Sequence, residues 1–466
     1  MMLKSKKMRW VTSALVCAQI FIPVHAEEKS GMLEGDGLQE HASNEASQET
    51  VRINLEQAIQ IALSDNPTIV VAGQEIELKK AAKQEALFGL LPTADLSGTY
   101  SRTLKKQTMV MDFGGESTTI KMGTDNSYSG GLSVSLPVFA PALYRSIHLT
   151  SSDIELAVEK SRSSKLDMVN QITKAYYQLL LTQDSYEVLK KSYAQAEANF
   201  NVVNEKYKLG SVSEYDKIRA DVQVRSLKPN VVSARNGVNL AKLQLKVLMG
   251  LDDDAEIEIE GNLTDYENEM FERQENELSL SNNSDLKQLD LNANMLEHNL
   301  KLQKTNFMPT LGATYSYQYT SLGDGSPFKN FNWNPYSYVG LNLTIPIFKG
   351  TNFPKMRQAR IQIEQLKETR INTERMLYMQ MSSYLDNMSA SSEQVLSNKE
   401  SVFQAEKGRI IAQKRYEIGN GTILELNDSE VALTQAQLTY NQSIYDYLIA
   451  KADLEKVLGK EDKINK

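Results

Sequence analysis

The sequence contains the same pattern twice. Tyr207, Gly210, Ser213, Asp216, Val222 and Gly250 are matched 209 positions later, without a gap, by Tyr416, Gly419, Thr422, Glu425, Val431 and Gly459. The same offset sets GLSVSLPVF (131–139) on GLNLTIPIF (340–348). Upstream the offset becomes 217, matching Pro92-Thr93 with Pro309-Thr310 and Asn66 with Asn283, so eight extra residues fall between Arg102 and Tyr128 of the first half. One shared turn arises by chance, but four segments in one order do not. The pattern predicts a tandem duplication of about 200 residues per copy. We place the first copy at 51–250 and the second at 285–459, joined by an acidic segment, 251–284, with a tail at 460–466.

Each copy has the same local grammar. In the first, Asn54-x-x-Gln57 reads as a capping box before LEQAIQIAL, and after Asn66-Pro67 a helical pattern runs to about Leu90. Then the period changes from helical to two. Ala94, Leu96, Gly98, Tyr100 and Arg102 alternate with Thr93, Asp95, Ser97, Thr99, Ser101 and Thr103, predicting a strand over 93–103. Similar alternation predicts strands over 127–138, 311–321 and 336–348. After each strand pair, nearly seventy residues run to the repeated turn with one early proline, Pro141 or Pro354. Helices of that length span roughly 100 Å. Their apolar spacing, as in Val169, Ile172, Tyr176, Leu179 and Leu180, is that of coiled coils.

The first 26 residues put Lys4, Lys6, Lys7 and Arg9 ahead of an apolar run and close on Val24-His25-Ala26, which predicts a secretory signal cut after Ala26. The run is about 15 residues, short of the roughly 20 a spanning helix needs. A lipid anchor at Cys17 is disfavoured by bulky Val16 before it. Cleavage removes four of 51 cationic side chains and no acid, leaving 47 against 59 acidic residues, a formal charge of −12. That balance excludes nucleic acid as an expected partner. The sole Cys leaves with the signal, so no disulfide framework or thiol chemistry is expected. Residues 27–50 are polar and expected to be disordered.

With no further apolar run of about 18 residues, any membrane contact of the mature chain must be made by strands. A solvated sandwich also alternates. Here, however, the polar positions are Ser, Thr, Asn and Gln with almost no charge, which suits a water-filled lumen, and the lengths match the roughly 9–11 residues of a tilted spanning strand. Tyr100, Tyr128, Tyr315, Tyr317, Tyr319, Tyr336 and Tyr338 are candidates for an interfacial girdle. Four strands cannot close a barrel and open edges are not tolerated in lipid, so the chain must oligomerise. Pattern alone allows eight strands from a dimer or twelve from a trimer.

Proline-ended strands (LPVF, IPIF), the Asn-Pro opening, the two Y-x-x-G turns and the duplicated order together resemble the TolC-like outer-membrane efflux and secretion channel family, across nearly all of residues 51–460. The resemblance implies a mostly α fold with transmembrane β: a homotrimer whose twelve-stranded barrel, four strands per protomer, sits in outer-membrane lipid of a Gram-negative bacterium and continues into a long coiled-coil helical barrel in the periplasm. It implies a passive exit duct of a tripartite efflux pump or type I secretion system, docked at its tip to a periplasmic adaptor (membrane fusion) protein and an inner-membrane transporter of RND, ABC or MFS type. It implies no cofactor. The acidic 251–284 segment is either a solvated linker or, by the resemblance, part of a belt around the tunnel's middle. The rival reading is a soluble periplasmic coiled-coil scaffold or adaptor, which would not need duplicated strands with uncharged polar faces.

Catalysis finds no motif. His25 and His41 lie in the first 50 residues, His148 and His298 stand apart on predicted helices, and no metal-ligand cluster, nucleophile elbow or phosphate loop is visible. The candidate site is instead the tip, built from Tyr207, Gly210, Ser213, Gly419, Gly421 and Thr422. Ser213-x-x-Asp216 and Thr422-x-x-Glu425 match capping boxes, which by itself would explain Asp216 and Glu425. Asp428, one turn later, needs another reason. In the family's pattern the positions of Glu425 and Asp428 resemble acidic rings lining a constriction, and Tyr416 and Asp216 resemble members of the network that holds it shut. Gly421 departs from that pattern, standing where a basic gating residue is expected, which implies a weaker or differently built lock.

Overall fold

The chain is described by a computed structural model over residues 51–113, 116–252, 256–271, 278–329 and 331–461. The expected signal, the 27–50 segment and tail residues 462–466 lie outside the described residues. In chain order the elements are β1 (Val51–Ile53), α1 (Leu55–Asp65), α2 (Pro67–Phe88), β2 (Thr93–Arg102), β3 (Gln107–Phe113), β4 (Glu116–Met122), β5 (Asn126–Phe139), α3 (Pro141–Lys208), α4 (Glu214–Met249), β6 (Ile257–Ile259), α5 (Ser284–Thr305), β7 (Thr310–Gly323), β8 (Trp333–Thr344), α6 (Asn352–Glu417) and α7 (Ile423–Leu458). Among the described residues no helix is long and apolar enough to cross a membrane.

The helices are started and stopped by side chains the sequence places at their ends. Asn54 accepts from the Gln57 amide at 2.8 Å while Gln57 Oε1 accepts from the Asn54 amide at 3.0 Å, opening α1 with a complete capping box. Asn66 accepts from the Thr68 amide at the start of α2 and donates through Nδ2 to the Leu248 carbonyl in the last turn of α4, at 2.8 Å. Asn283 does the same one half later, capping Leu286 and donating to Val457 O in the last turn of α7, also at 2.8 Å. Both α4 and α7 stop at a left-handed glycine, Gly250 (φ 74°) and Gly459 (φ 66°). The paired helices have nearly equal lengths: 68 and 66 residues for α3 and α6, and 36 each for α4 and α7.

The main core gathers the middle of α3, the C-terminal turns of α4, and residues of α1 and α7. Ile172, Tyr176, Leu179 and Leu180 of α3 pack with Ile59 of α1, Leu245 and Met249 of α4, and Ile444 and Leu448 of α7. The acidic inter-repeat segment is no solvated linker where it is described. β6 pairs in parallel with β1, Leu263 and Met270 are buried in the core, and the Tyr176 hydroxyl donates to Glu260 O at 2.8 Å. One of its acids, Glu267, takes Lys399 at 2.8 Å and the Tyr440 hydroxyl at 2.9 Å.

Four strands form one antiparallel sheet, ordered β2-β5-β7-β8. The register puts Leu96, Leu132 and Tyr317 in one row, and Ala94, Val134, Tyr315 and Val339 in another, all on one face. The opposite face carries Ser97, Thr99, Ser133, Ser135, Thr314, Ser316, Gln318 and Asn342. Leu96, Val339 and Leu341 are 85%, 78% and 73% exposed in the protomer, an apolar surface that water does not tolerate over this extent. Among the described residues, the outer edges of β2 and β8 have no strand beside them.

Several expectations change in detail. Tyr336 and Tyr338, expected with the other tyrosines, pair with Gln318 and Ser316 and therefore lie on the polar face; the remaining five lie on the apolar one. The last strand runs over Trp333–Thr344 rather than 336–348, because it is an edge and Pro346 brings no amide to extend it. The segment between Arg102 and Tyr128, where the duplication places the eight extra residues and no strand was expected, holds a separate antiparallel hairpin, β3–β4. Beside it Lys106 Nζ bridges Asp125 at 3.1 Å and Asp324 at 2.7 Å, tying this loop region to the β7–β8 connection.

The paired tip turns as candidate functional site

The Y-x-x-G turn is a helix stop followed at once by a helix start. At the end of α3, Gly210 takes φ 70°, its amide donates to Tyr207 O at 2.9 Å, and Ser211 N donates to Lys206 O at 2.9 Å. At the end of α6, Gly419 takes φ 78°, with Gly419 N to Tyr416 O at 3.2 Å and Asn420 N to Arg415 O at 2.8 Å. These are paired Schellman stops, in which glycine relieves the Cβ penalty of the left-handed conformation.

Three residues later each chain segment re-enters a helix. The Asp216 amide donates to Ser213 Oγ at 3.2 Å and the Ser213 amide to Asp216 Oδ2 at 3.3 Å. The Glu425 amide donates to Thr422 Oγ1 at 3.2 Å and the Thr422 amide to Glu425 Oε2 at 3.4 Å. Asp216 and Glu425 thus sit in complete capping boxes. Glu425 also faces Arg415, with 3.6 Å between Nη1 and Oε2, and Arg415 donates to Asn420 O at 3.1 Å. Asp428 lies beyond the box. It is exposed and makes no hydrogen bond or ion pair with the described residues of its own protomer.

Tyr416 joins the two hairpins. Its ring is buried in a small core with Val203 of α3, Ala220 of α4, and Ile423 and Leu426 of α7. Its hydroxyl is buried without a hydrogen-bond partner. Burial first, and the nearby Asp216 carboxylate second, hold the phenol pKa above its ordinary value. Tyr207, the counterpart, is less buried and lies under Lys217, whose Nζ is 4.8 Å from the ring centroid. Gly421 is pressed against the helix it follows: a Cβ there would lie 3.0 Å from Tyr416 N and 3.1 Å from Arg415 C.

The family model described as "Outer membrane efflux protein" matches residues 58–251 and 277–460, which spans both tips, both strand pairs and the core. The chain belongs to this family. Membership makes it an outer-membrane protein of Gram-negative type and a channel rather than an enzyme. Outer membrane protein TolC of Escherichia coli K12 is 22% identical to this outer membrane efflux protein over 426 residues, covering 87% of this chain and 82% of its own. Outer membrane protein TolC of Vibrio cholerae is 18% identical over 340 residues, 71% and 76% of the two chains. Among solved structures, the CmeC outer membrane channel of Campylobacter jejuni superposes with a TM-score of 0.70 at 20% identity over 88% of each chain. The outer membrane protein VceC of Vibrio cholerae gives 0.69 at 16% over 87% of this chain and 96% of its own. These likenesses establish the fold.

Sequence reasoning missed two features of this efflux protein. The cations over the tyrosines, Lys206 and Lys217, carried no signal beyond lying within seven residues of Y-x-x-G. His148 and His298, read as standing apart, stack on one another with ring centroids 6.2 Å apart.

Proposed function

We propose that three copies assemble so that each β8 edge pairs with a neighbour's β2, closing a twelve-stranded barrel continuous with a tunnel of α3, α4, α6 and α7. In this reading the protein is the passive exit duct of a tripartite efflux pump or type I secretion system. The observation that carries it is the four-stranded sheet, with a lipid-compatible face, a Ser/Thr/Asn/Gln-rich face charged only at Asp95, and two open edges. Lipid tolerates strands only when every edge is paired. The soluble-scaffold reading leaves that apolar face in water and is set aside.

The tip supports a docking end. Leu209 and Ile418, at matching positions in the two turns, are 81% and 72% exposed, an apolar pair suited to the end of an adaptor's coiled coil. The inner-membrane transporter behind it would be of RND, ABC or MFS type, and the duct carries what that pump selects. Three-fold symmetry would place Asp428, with Glu425, around the opening as an acidic ring. Tyr416 and Asp216 would belong to the contacts that hold the ring narrow.

The test is reconstitution. Protein in mild detergent is expected to be a trimer by native mass spectrometry and to form discrete conducting channels in planar bilayers. A monodisperse monomer with its β-structure intact would sink the barrel.

A further inference from the structure

Of the chain's four histidines, the two in the described residues face each other. The topology explains the meeting. β5 runs into α3, α5 runs into β7, and β5 and β7 are antiparallel neighbours, so the first turns of α3 lie beside the last turns of α5. His148 is the eighth residue of α3 and His298 the eighth from the end of α5, so each stands eight residues from the sheet end of its helix. Their rings lie 6.2 Å apart between centroids and 11° from parallel. His298 Nδ1 is buried and has no hydrogen-bond partner, whereas His148 is exposed.

A buried ring nitrogen without a partner is an unsatisfied polar atom, and in the tautomer protonated at Nε2 it offers a lone pair to a ligand. We propose that His148 and His298 form a bridging site for a borderline transition-metal dication, Zn²⁺, Ni²⁺ or Cu²⁺. The ion would fasten α3 of the first half to α5 of the second directly beneath the sheet. The spacing is near what a bridge needs: with metal–nitrogen bonds of about 2.0 Å, two imidazoles sharing one ion hold their centroids roughly 5–6 Å apart, a little closer than the 6.2 Å between these rings. The χ2 torsion of histidine is soft, so each ring can turn a nitrogen into the gap. Among the described residues no group of three or more His, Cys, Asp or Glu side chains could hold a metal. The remaining coordination positions therefore belong to water, and the ion exchanges. Imidazole donors favour Cu²⁺ over Zn²⁺ and Ni²⁺, while Mg²⁺ and Ca²⁺ seek oxygen. The site does not depend on the channel reading.

The test uses full-length protein in detergent, carrying no polyhistidine tag and stripped with chelator. Competition against a chromophoric chelator is expected to show a single Zn²⁺ or Ni²⁺ site per chain, tighter for Cu²⁺ and indifferent to millimolar Mg²⁺ or Ca²⁺. His148→Ala, at an exposed position, and His298→Gln are each expected to weaken Zn²⁺ at least about tenfold. Zn²⁺ should raise the Tm of the parent protein and of neither variant. No binding by the parent, equal binding by either variant, or equal displacement by Ca²⁺ overturns the bridge.

Discussion

Lys206 Nζ lies 4.6 Å from the centroid of the Tyr416 ring, so a cation at the end of α3 covers the aromatic side chain at the end of α6. The contact crosses from one helical hairpin to the other. Tyr207 is covered by Lys217 of its own hairpin instead. The two turns share a backbone design and differ in what they hold together. Gly421 brings no cation to the tip; half-buried Lys206 supplies one from the opposite hairpin, a contact of a kind that contributes about 0.5–1 kcal/mol where water still reaches the cation.

Tyr416 acts through its ring. Tyr416→Phe removes a hydroxyl that is buried without a partner, and is expected to be neutral or slightly stabilising. Tyr416→Ala empties the small tip core at a cost of about 3–5 kcal/mol, read as faster hydrogen exchange in the last turns of α3 and α6. Equal loss from both variants would mean that the hydroxyl is bonded in the assembly.

The acidic ring we propose at Asp428 and Glu425 is separable from the capping role of Glu425. If they ring a narrow opening, single channels in planar bilayers select cations and are blocked by trivalent cations from the periplasmic side, because charge there is only partly screened over about 8 Å. Asp428→Asn is expected to weaken that block without changing stability, and Asp428→Asn with Glu425→Gln to abolish most of it at normal oligomer yield. Thr422→Ala, which removes only the cap, should lower stability by about 0.5–2 kcal/mol and leave the block intact. Unchanged block in the double variant would place the constriction elsewhere.

At Gly421 a methyl group would be crowded by the backbone of the preceding helix. Gly421→Ala forces a Cβ to 3.0 Å from Tyr416 N, so the second tip turn must shift, at about 1–3 kcal/mol. The matching residue of the first turn is Val212, packed against the tip core. Calorimetry showing no loss of Tm in Gly421→Ala would mean that the turn yields freely.

Glu430 sets a pH dependence. Arg409 Nη1 is 3.6 Å from Glu430 Oε1, an ion pair too long for a hydrogen bond, and Oε1 has no hydrogen-bond partner. Burial raises this carboxyl's pKa above its ordinary 4.5 more than Arg409 lowers it. The folded chain therefore holds this proton more tightly than the unfolded one. Stability from this group is complete below the unfolded value and lost as pH rises through the folded one. Glu430→Gln should match the parent's Tm near pH 4 and exceed it at pH 7. Arg409 keeps a partner in Gln413 Oε1 at 3.0 Å. A Tm difference that does not grow with pH refutes this account.

What the sequence determined by itself was local. Asn54, Ser213 and Thr422 cap because their partners lie three residues away, and Gly210 and Gly419 stop helices because left-handed φ is a property of one residue. The change from helical to alternating period located the four sheet strands for the same reason. The parity of Tyr336 and Tyr338 with Asn342 and Thr344 already marked the polar face. The β3–β4 hairpin went unread because each strand is only seven residues long, too short a pattern beside the Gly-Gly between them. What only the tertiary structure decided were the meetings between halves. Tyr416 reaches Val203, and His148 reaches His298, across 150 residues or more of sequence. No local pattern encodes such a pair, because its partners are chosen by the pairing of β5 with β7 and by the packing of one hairpin on the other. That register is settled by the burial of whole faces rather than by either residue.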